Sequence, residues 1–168
     1  LGMQPVPNQD DGTVDINYSV EEKSSDQLEL SAGWGGGIGL TGTLGVTFNN
    51  FSIKNIWKKS SWDPLPTGDG QKLSLRYQSN GRFFRSFNFT FTEPWLGGRR
   101  PNSLTVSVNQ SIIRQIPNGT DVDPSPAQTG ALKITGANIY LGRRLRKPDD
   151  FFQLTNSIGI NSYKSEGL

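Results

Sequence analysis

The sequence predicts an all-β chain, an antiparallel up-and-down sheet in which successive strands pair with their neighbours. Three observations carry that expectation. Strand-favouring Val, Ile, Thr and aromatic residues are abundant, while Ala occurs only four times in 168 residues, so long helices have little to build on. Twenty glycines and many Asn and Ser residues supply turns. Apolar and polar residues also alternate with a period of two through most of the chain, which places them on opposite faces of strands.

Taken in order, Val14, Ile16, Tyr18 and Val20 alternate with Asp15, Asn17 and Ser19 and predict a leading strand. Residues 27–34 follow, with Leu28, Leu30, Ala32 and Trp34 on one face and Gln27, Glu29, Ser31 and Gly33 on the other. Leu40, Gly42, Leu44, Val46 and Phe48 define the next strand, and Leu73, Leu75 and Tyr77 the one after. Phe87, Phe89 and Phe91 mark another, as do Leu104, Val106 and Val108. Leu132 and Ile134 then give way to Ala137, Ile139 and Leu141, a change of phase at Gly136 that predicts a β-bulge. Leu154, Ile158 and Ile160 close the series of one leading strand and seven more. Connections at 35–37, 79–81 and 116–129 fall at one end of the strands, and those at 49–70, 93–102 and 146–150 at the other. Within 51–59 a short helix and an irregular loop are both compatible with Phe51, Ile53, Ile56 and Trp57 interleaved with Lys54, Lys58 and Lys59.

Composition removes several function classes. The chain has no Cys and no His, which excludes disulfide scaffolds, thiol catalysis, His-based triads and the usual zinc sites. Seventeen basic against fifteen acidic residues give a net charge too weak to argue for nucleic acid by itself. No apolar run is long enough for a membrane-spanning helix. The chain opens on Leu1 without a basic-then-apolar leader, so a signal peptide is expected upstream or already removed.

A mean hydropathy of −0.51 suits a soluble β-sandwich, yet an outer-membrane barrel gives the same alternation with the apolar face turned to lipid. Three details favour the transmembrane barrel. The polar face is rich in Gly, Ser, Thr and Asn and has few charges. Aromatics (Phe48, Trp57, Trp62, Tyr77, Phe83, Trp95) gather near strand ends, where a headgroup-level belt would lie. The middle of each strand's apolar face is compatible with lipid.

Several segments resemble the BamA family, the POTRA-plus-barrel insertases of bacterial outer-membrane protein assembly. Residues 14–23 (VDINYSVEEK) and 28–39 (LELSAGWGGGIG) are similar to the join between the last POTRA domain and the barrel. Residues 48–52 (FNNFS), 68–75 (GDGQKLSL) and 89–97 (FTFTEPWLG) resemble the family's first turn, third strand and end of the fourth. The resemblance implies a POTRA tail and linker over 1–24 and the N-terminal half of a barrel over 25–168. It further implies a bacterial outer-membrane location and a non-enzymatic insertase without cofactor. Its partners would be nascent β-barrel proteins, lipid and lipopolysaccharide, accessory assembly lipoproteins and the remainder of its own barrel.

On that reading the working surface is the first barrel strand, Gln27, Leu28, Glu29, Leu30, Ser31, Ala32, Gly33 and Trp34. Its edge would pair with an incoming strand at a lateral seam. Gly33, Gly35, Gly36 and Gly37 would weaken the end of that strand, or simply form a tight hairpin; the two are compatible. Residues 49–70 are long for the turn they replace. Their Trp57, Trp62, Lys58 and Lys59 suit an interfacial element at headgroups or a docking point for an accessory subunit.

Blander readings hold elsewhere. The 33–39 glycines lack the helix a phosphate loop needs. Asp10, Asp11, Asp121 and Asp123 lack calcium-loop spacing, and Glu21 and Glu22 form no catalytic pair with Glu29, which is expected to face the lumen. Asn88, Asn109 and Asn118 match a glycosylation pattern without meaning in a bacterial outer membrane. Arg82, Arg85 and Arg114 could meet lipopolysaccharide phosphates, and Arg99, Arg100, Arg143, Arg144, Arg146 and Lys147 headgroups or a partner, with plain solvation as the alternative for both groups.

Overall fold

The computed structural model describes residues 2–7, 12–19, 26–35, 39–62, 64–81, 83–98, 102–114, 130–147, 149 and 151–166. Among them nine strands form two antiparallel sheets. Strands β1 (Gly2–Pro7) and β2 (Val14–Ser19) make a hairpin. A seven-stranded sheet follows in sequence order: β3 (Gln27–Gly35), β4 (Gly39–Phe51), β5 (Gln71–Ser79), β6 (Phe84–Glu93), β7 (Asn102–Arg114), β8 (Ala131–Arg144) and β9 (Gln153–Glu166). The sheet is open, with β3 and β9 as its two edges.

Register turns the alternation of each strand into rows that cross the whole sheet. Leu28 lies opposite Val46, Val46 opposite Leu75, and the row continues through Phe89, Val108 and Ala137 to Ile160. A second row on the same face runs Phe48, Leu73, Phe91, Val106, Ile139 and Ile158. The other face carries Gln27, Thr47, Ser74, Thr90, Ser107, Asn138 and Gly159 in one row. The apolar band drifts relative to these rows. On β3 and β4 it extends to Trp34 and Leu40, whereas on β7 and β8 it extends the opposite way, to Leu104 and Leu141.

No second layer covers the apolar face among the described residues. Leu28, Leu30 and Ile158 are 75%, 79% and 74% exposed, and the one buried large hydrophobic is Phe51. The polar face is the more closed of the two, with Thr43, Gly45 and Gly136 buried. Glycines there make room for neighbouring side chains. A Cβ on Gly136 would stand 2.6 Å from the Asn109 Oδ1 and would also collide with Asn161.

Three sequence expectations need correction. The leading strand is half of a hairpin, because Pro5 and Pro7 of β1 hid a six-residue ladder with β2. There is no bulge at Gly136: β8 pairs without interruption with both neighbours. The change of phase is a change of face, since Ile134 and Leu132 lie with Ser111 and Ile113 on the side opposite Ile139. The register shift lies instead between Phe48 and Phe51, where β4 meets β5. Finally, β4 runs to Phe51, which shortens the following connection to 52–70, and that connection is an irregular loop with one 3-10 turn (Lys59–Ser61).

That loop and the first residue of β5 hold the tightest packing in the described chain, with Ser52, Pro66 and Gln71 almost fully buried. The Ser52 N–H donates to the Pro66 carbonyl at 2.8 Å and the Gly68 N–H to Asn50 O at 3.0 Å. The Ser52 hydroxyl donates to Asp69 Oδ2 at 2.6 Å. Gln71 receives the Ile53 N–H at 2.8 Å and donates to Glu93 Oε2 at 2.7 Å. Phe51 and Phe91 meet edge to face, with centroids 6.2 Å apart. Gln71→Ala would strand the Ile53 N–H and remove a Glu93 donor, at a cost of about 1–3 kcal/mol. The expected outcome is faster amide exchange and proteolysis within 52–70, with exchange in β7 and β8 unchanged.

Candidate functional site

Strand β3 pairs with β4 alone, so alternate residues along it turn N–H and C=O groups away from the sheet. Gln27, Leu28, Glu29, Leu30, Ser31, Ala32, Gly33 and Trp34 are all exposed. Leu28, Leu30, Ala32 and Trp34 share the apolar face with Val46, Leu44, Gly42 and Leu40, while Gln27, Glu29, Ser31 and Gly33 look to the polar face. The ladder continues through Gly33 opposite Thr41 to Gly35 opposite Gly39, so these two glycines are paired strand positions leading into a hairpin. Gly36 and Gly37 lie outside the described residues.

Two side-chain contacts hold this strand to its neighbours. At its start, Asp26 Oδ1 accepts the Asn49 N–H at 3.1 Å. Midway along, the Glu29 carboxylate meets the Arg76 guanidinium at 3.0 Å. Glu29 lies on β3 and Arg76 on β5, so the pair reaches across β4. It crosses at Gly45, which is opposite both residues. A Cβ added there would sit 3.1 Å from Glu29 Oε2 and 3.3 Å from Glu29 Cβ. Gln27, Glu29, Gly45, Thr47, Ser74 and Arg76 together edge a concavity of about 600 Å³. The alternation puts Glu29 on the polar face but does not reveal its partner two strands away. The signal for that pair is a glycine at the centre of an otherwise regular strand.

The second group, Trp57, Trp62, Lys58 and Lys59, belongs to the 52–70 loop and is separate from the β3 ladder. Trp57 is 91% exposed. The Trp62 indole N–H donates to Ile56 O at 3.2 Å, and the bridge between Trp62 and Pro66 closes the loop. Lys58 and Lys59 are exposed.

Of the remaining candidates, Arg85 and Arg114 lie at one end of adjacent strands β6 and β7. Arg143, Arg144, Arg146 and Lys147 cluster at the end of β8 and in the turn after it. Arg82, Arg99, Arg100, Asp10, Asp11, Glu21, Glu22, Asn118, Asp121 and Asp123 fall outside the described residues. Among the described residues no cluster of three Asp or Glu could hold a metal. What the described residues do present at β3 is an edge without a neighbouring strand beside a cross-strand ion pair.

Both partners of the Glu29–Arg76 pair are about half exposed, so its contribution is small, at most about 1 kcal/mol. At an edge strand, that is enough to be read locally. Glu29→Gln is expected to speed amide exchange throughout β3 a few-fold, with β6 and β7 unaffected, and Gly45→Leu to do the same by displacing Glu29.

No family model, curated protein or solved structure matches this chain.

Proposed function

We propose that the seven-stranded sheet is one arc of an outer-membrane β-barrel in a bacterial assembly insertase, with β3 as the strand that templates incoming barrel proteins. The observation that carries the membrane half of this reading is the apolar face, which no second layer covers among the described residues. It runs continuously from Leu28 to Ile160, exposed at Leu28, Val108 and Ile160 and half-buried at Val46, Leu75, Phe89 and Ala137 between them. In water such a face costs roughly 25 cal/mol for each Å² left exposed, and a lipid environment removes that cost.

The drift of the apolar band supports the same reading. Strands tilted in a flat hydrocarbon slab must shift their lipid-facing stretch steadily from one to the next. Here the shift is about four or five residues over the six steps between strands, a tilt of roughly 25–30° at ~3.4 Å per residue and ~4.8 Å between strands. Membrane barrels tilt by ~35–45°, so the drift has the direction of a tilted wall and a somewhat shallower slope. The glycine- and Asn-rich polar face would line the lumen.

The assembly half rests on the bare edge of β3 and on the resemblance of residues 14–23, 28–39, 48–52, 68–75 and 89–97 to the BamA family. An open edge in lipid costs several kcal/mol per unsatisfied group, so β3 requires a partner. In the resting barrel that partner would be the last strand of the barrel, and in action an incoming substrate strand bound by β-augmentation. No bond is made or broken covalently. The proposed partners are nascent barrel proteins, lipid and lipopolysaccharide, accessory assembly lipoproteins and the remaining strands of the barrel.

A second reading, a polypeptide-secretion or solute pore with a sealed seam, is favoured by the Glu29–Arg76 and Asp26–Asn49 contacts that pin β3. Cysteine placed at Ser31 separates the two. Cross-links to nascent outer-membrane proteins in cells are expected for the insertase; their complete absence would favour the pore. Leu30→Pro, which breaks the β3 ladder, is expected to abolish assembly. Phe89→Arg should destabilise the barrel by about 2–4 kcal/mol while Thr90→Arg is mild; equal tolerance at the two sites in a denaturant titration would sink the membrane reading.

A further inference from the structure

We infer that the 52–70 loop is a foot that seats the outer wall of the sheet in the phospholipid headgroup layer, with Trp57 as its inserted side chain. This rests on the membrane reading above and adds a place and an occupant to it. The first observation is where the loop docks. Gln71 and Glu93 belong to the apolar face, in line with Leu73 and Phe91 respectively, and residues 51–53 pack over them: the Phe51 ring on Phe91, and the Ile53 N–H on Gln71 Oε1. The loop therefore folds onto the side of the sheet that would face lipid, at the place where apolar rows give way to the Gln71–Glu93 hydrogen bond.

The second observation is what the loop shows on its outer surface. Its polar groups turn inward, Ser52 onto Asp69 and Asn55 Nδ2 onto Thr67 O. Trp57 projects at 91% exposure and Ile53 at 51%, beside exposed Lys54, Lys58 and Lys59. A well-anchored loop that holds an indole in water and surrounds it with ammonium groups matches a layer that is apolar below and phosphate-bearing above. The neighbouring turns at the same end also present exposed aromatic side chains, the second with cations near it in sequence. Trp95 is exposed after β6, and Phe151 is 95% exposed beside Arg146 and Lys147 after β8. A protein partner would need to complement three separate turns, whereas a lipid surface meets all of them with one chemistry.

Fluorescence quenching in the full-length protein, reconstituted in phosphatidylethanolamine–phosphatidylglycerol vesicles, tests this directly. Trp34, Trp62 and Trp95 are replaced by Phe so that Trp57 is the emitter among these four, and brominated phospholipids carry the quencher near the headgroup or deep in the acyl chains. A matched protein with Trp57→Phe and Phe89→Trp reports on the middle of the apolar band. Shallow bromines are expected to quench Trp57 at least twofold more than deep ones, with the order reversed for the Phe89→Trp protein. Replacing Lys54, Lys58 and Lys59 with Gln should reduce the shallow quenching. Quenching of the Phe89→Trp emitter without quenching of Trp57 would overturn the foot and leave a protein partner as its occupant. Absence of quenching in both would overturn the membrane reading itself.

Discussion

The backbone ladder is the interaction on which the rest of this structure depends. A globular domain of this length is held together largely by a buried apolar core; here the described residues bury a single large hydrophobic side chain, Phe51. Cohesion between strands comes from the continuous registers of β3 to β9 and from side chains paired across them, such as Thr47 with Ser74, Ser86 with Ser111 and Thr92 with Thr105, each about 3 Å apart. A sheet so built does not need its apolar side chains for internal packing. They remain available to the medium, and the proposed function follows from that division of labour.

The same division explains the two regions that stand apart. Where the apolar rows end, Gln71 and Glu93 bring polar groups onto the apolar face, and the 52–70 loop covers them with a compact hydrogen-bonded cap. Where the sheet ends sideways, β3 has ladder groups with no strand beside them and is restrained by Asp26 and Glu29 instead. One region ends the apolar surface and the other ends the ladder on one side, as β9 does on the other. These are the boundaries at which the sheet, on the proposed reading, has to meet something other than itself.

Most of the large sheet was legible because strand periodicity survives even where composition is ambiguous. Phe87, Phe89 and Phe91 against Ser86, Asn88 and Thr90 permit one assignment. What misled were residues whose effect depends on a neighbour. The phase change at Gly136 looks like an inserted residue in one strand, but against β7 it is a transfer of apolar residues to the other face. Pro5 and Pro7 suppress the strand signal of β1, whose ladder with β2 tolerates them at an edge. Which face is left bare could not be read from alternation, since a sandwich and a barrel write the same pattern. The structure leaves the apolar face without a second layer among the described residues, and the crossing of Glu29 over Gly45 to Arg76 appears only when three strands are laid side by side.

That crossing also acts as a register check on the edge strand. A slip of one residue would turn Leu28 and Leu30 to the polar side and is already forbidden by the two-faced pattern. A slip of two keeps every residue on its own face and would otherwise be nearly silent in an edge so lightly held. It would place Gln27 or Ser31 opposite Gly45, however, and carry the carboxylate away from Arg76. The gap left by one missing side chain in β4 thus makes a single alignment of β3 preferable to its closest competitors, and any strand that later aligns on β3 inherits a defined frame.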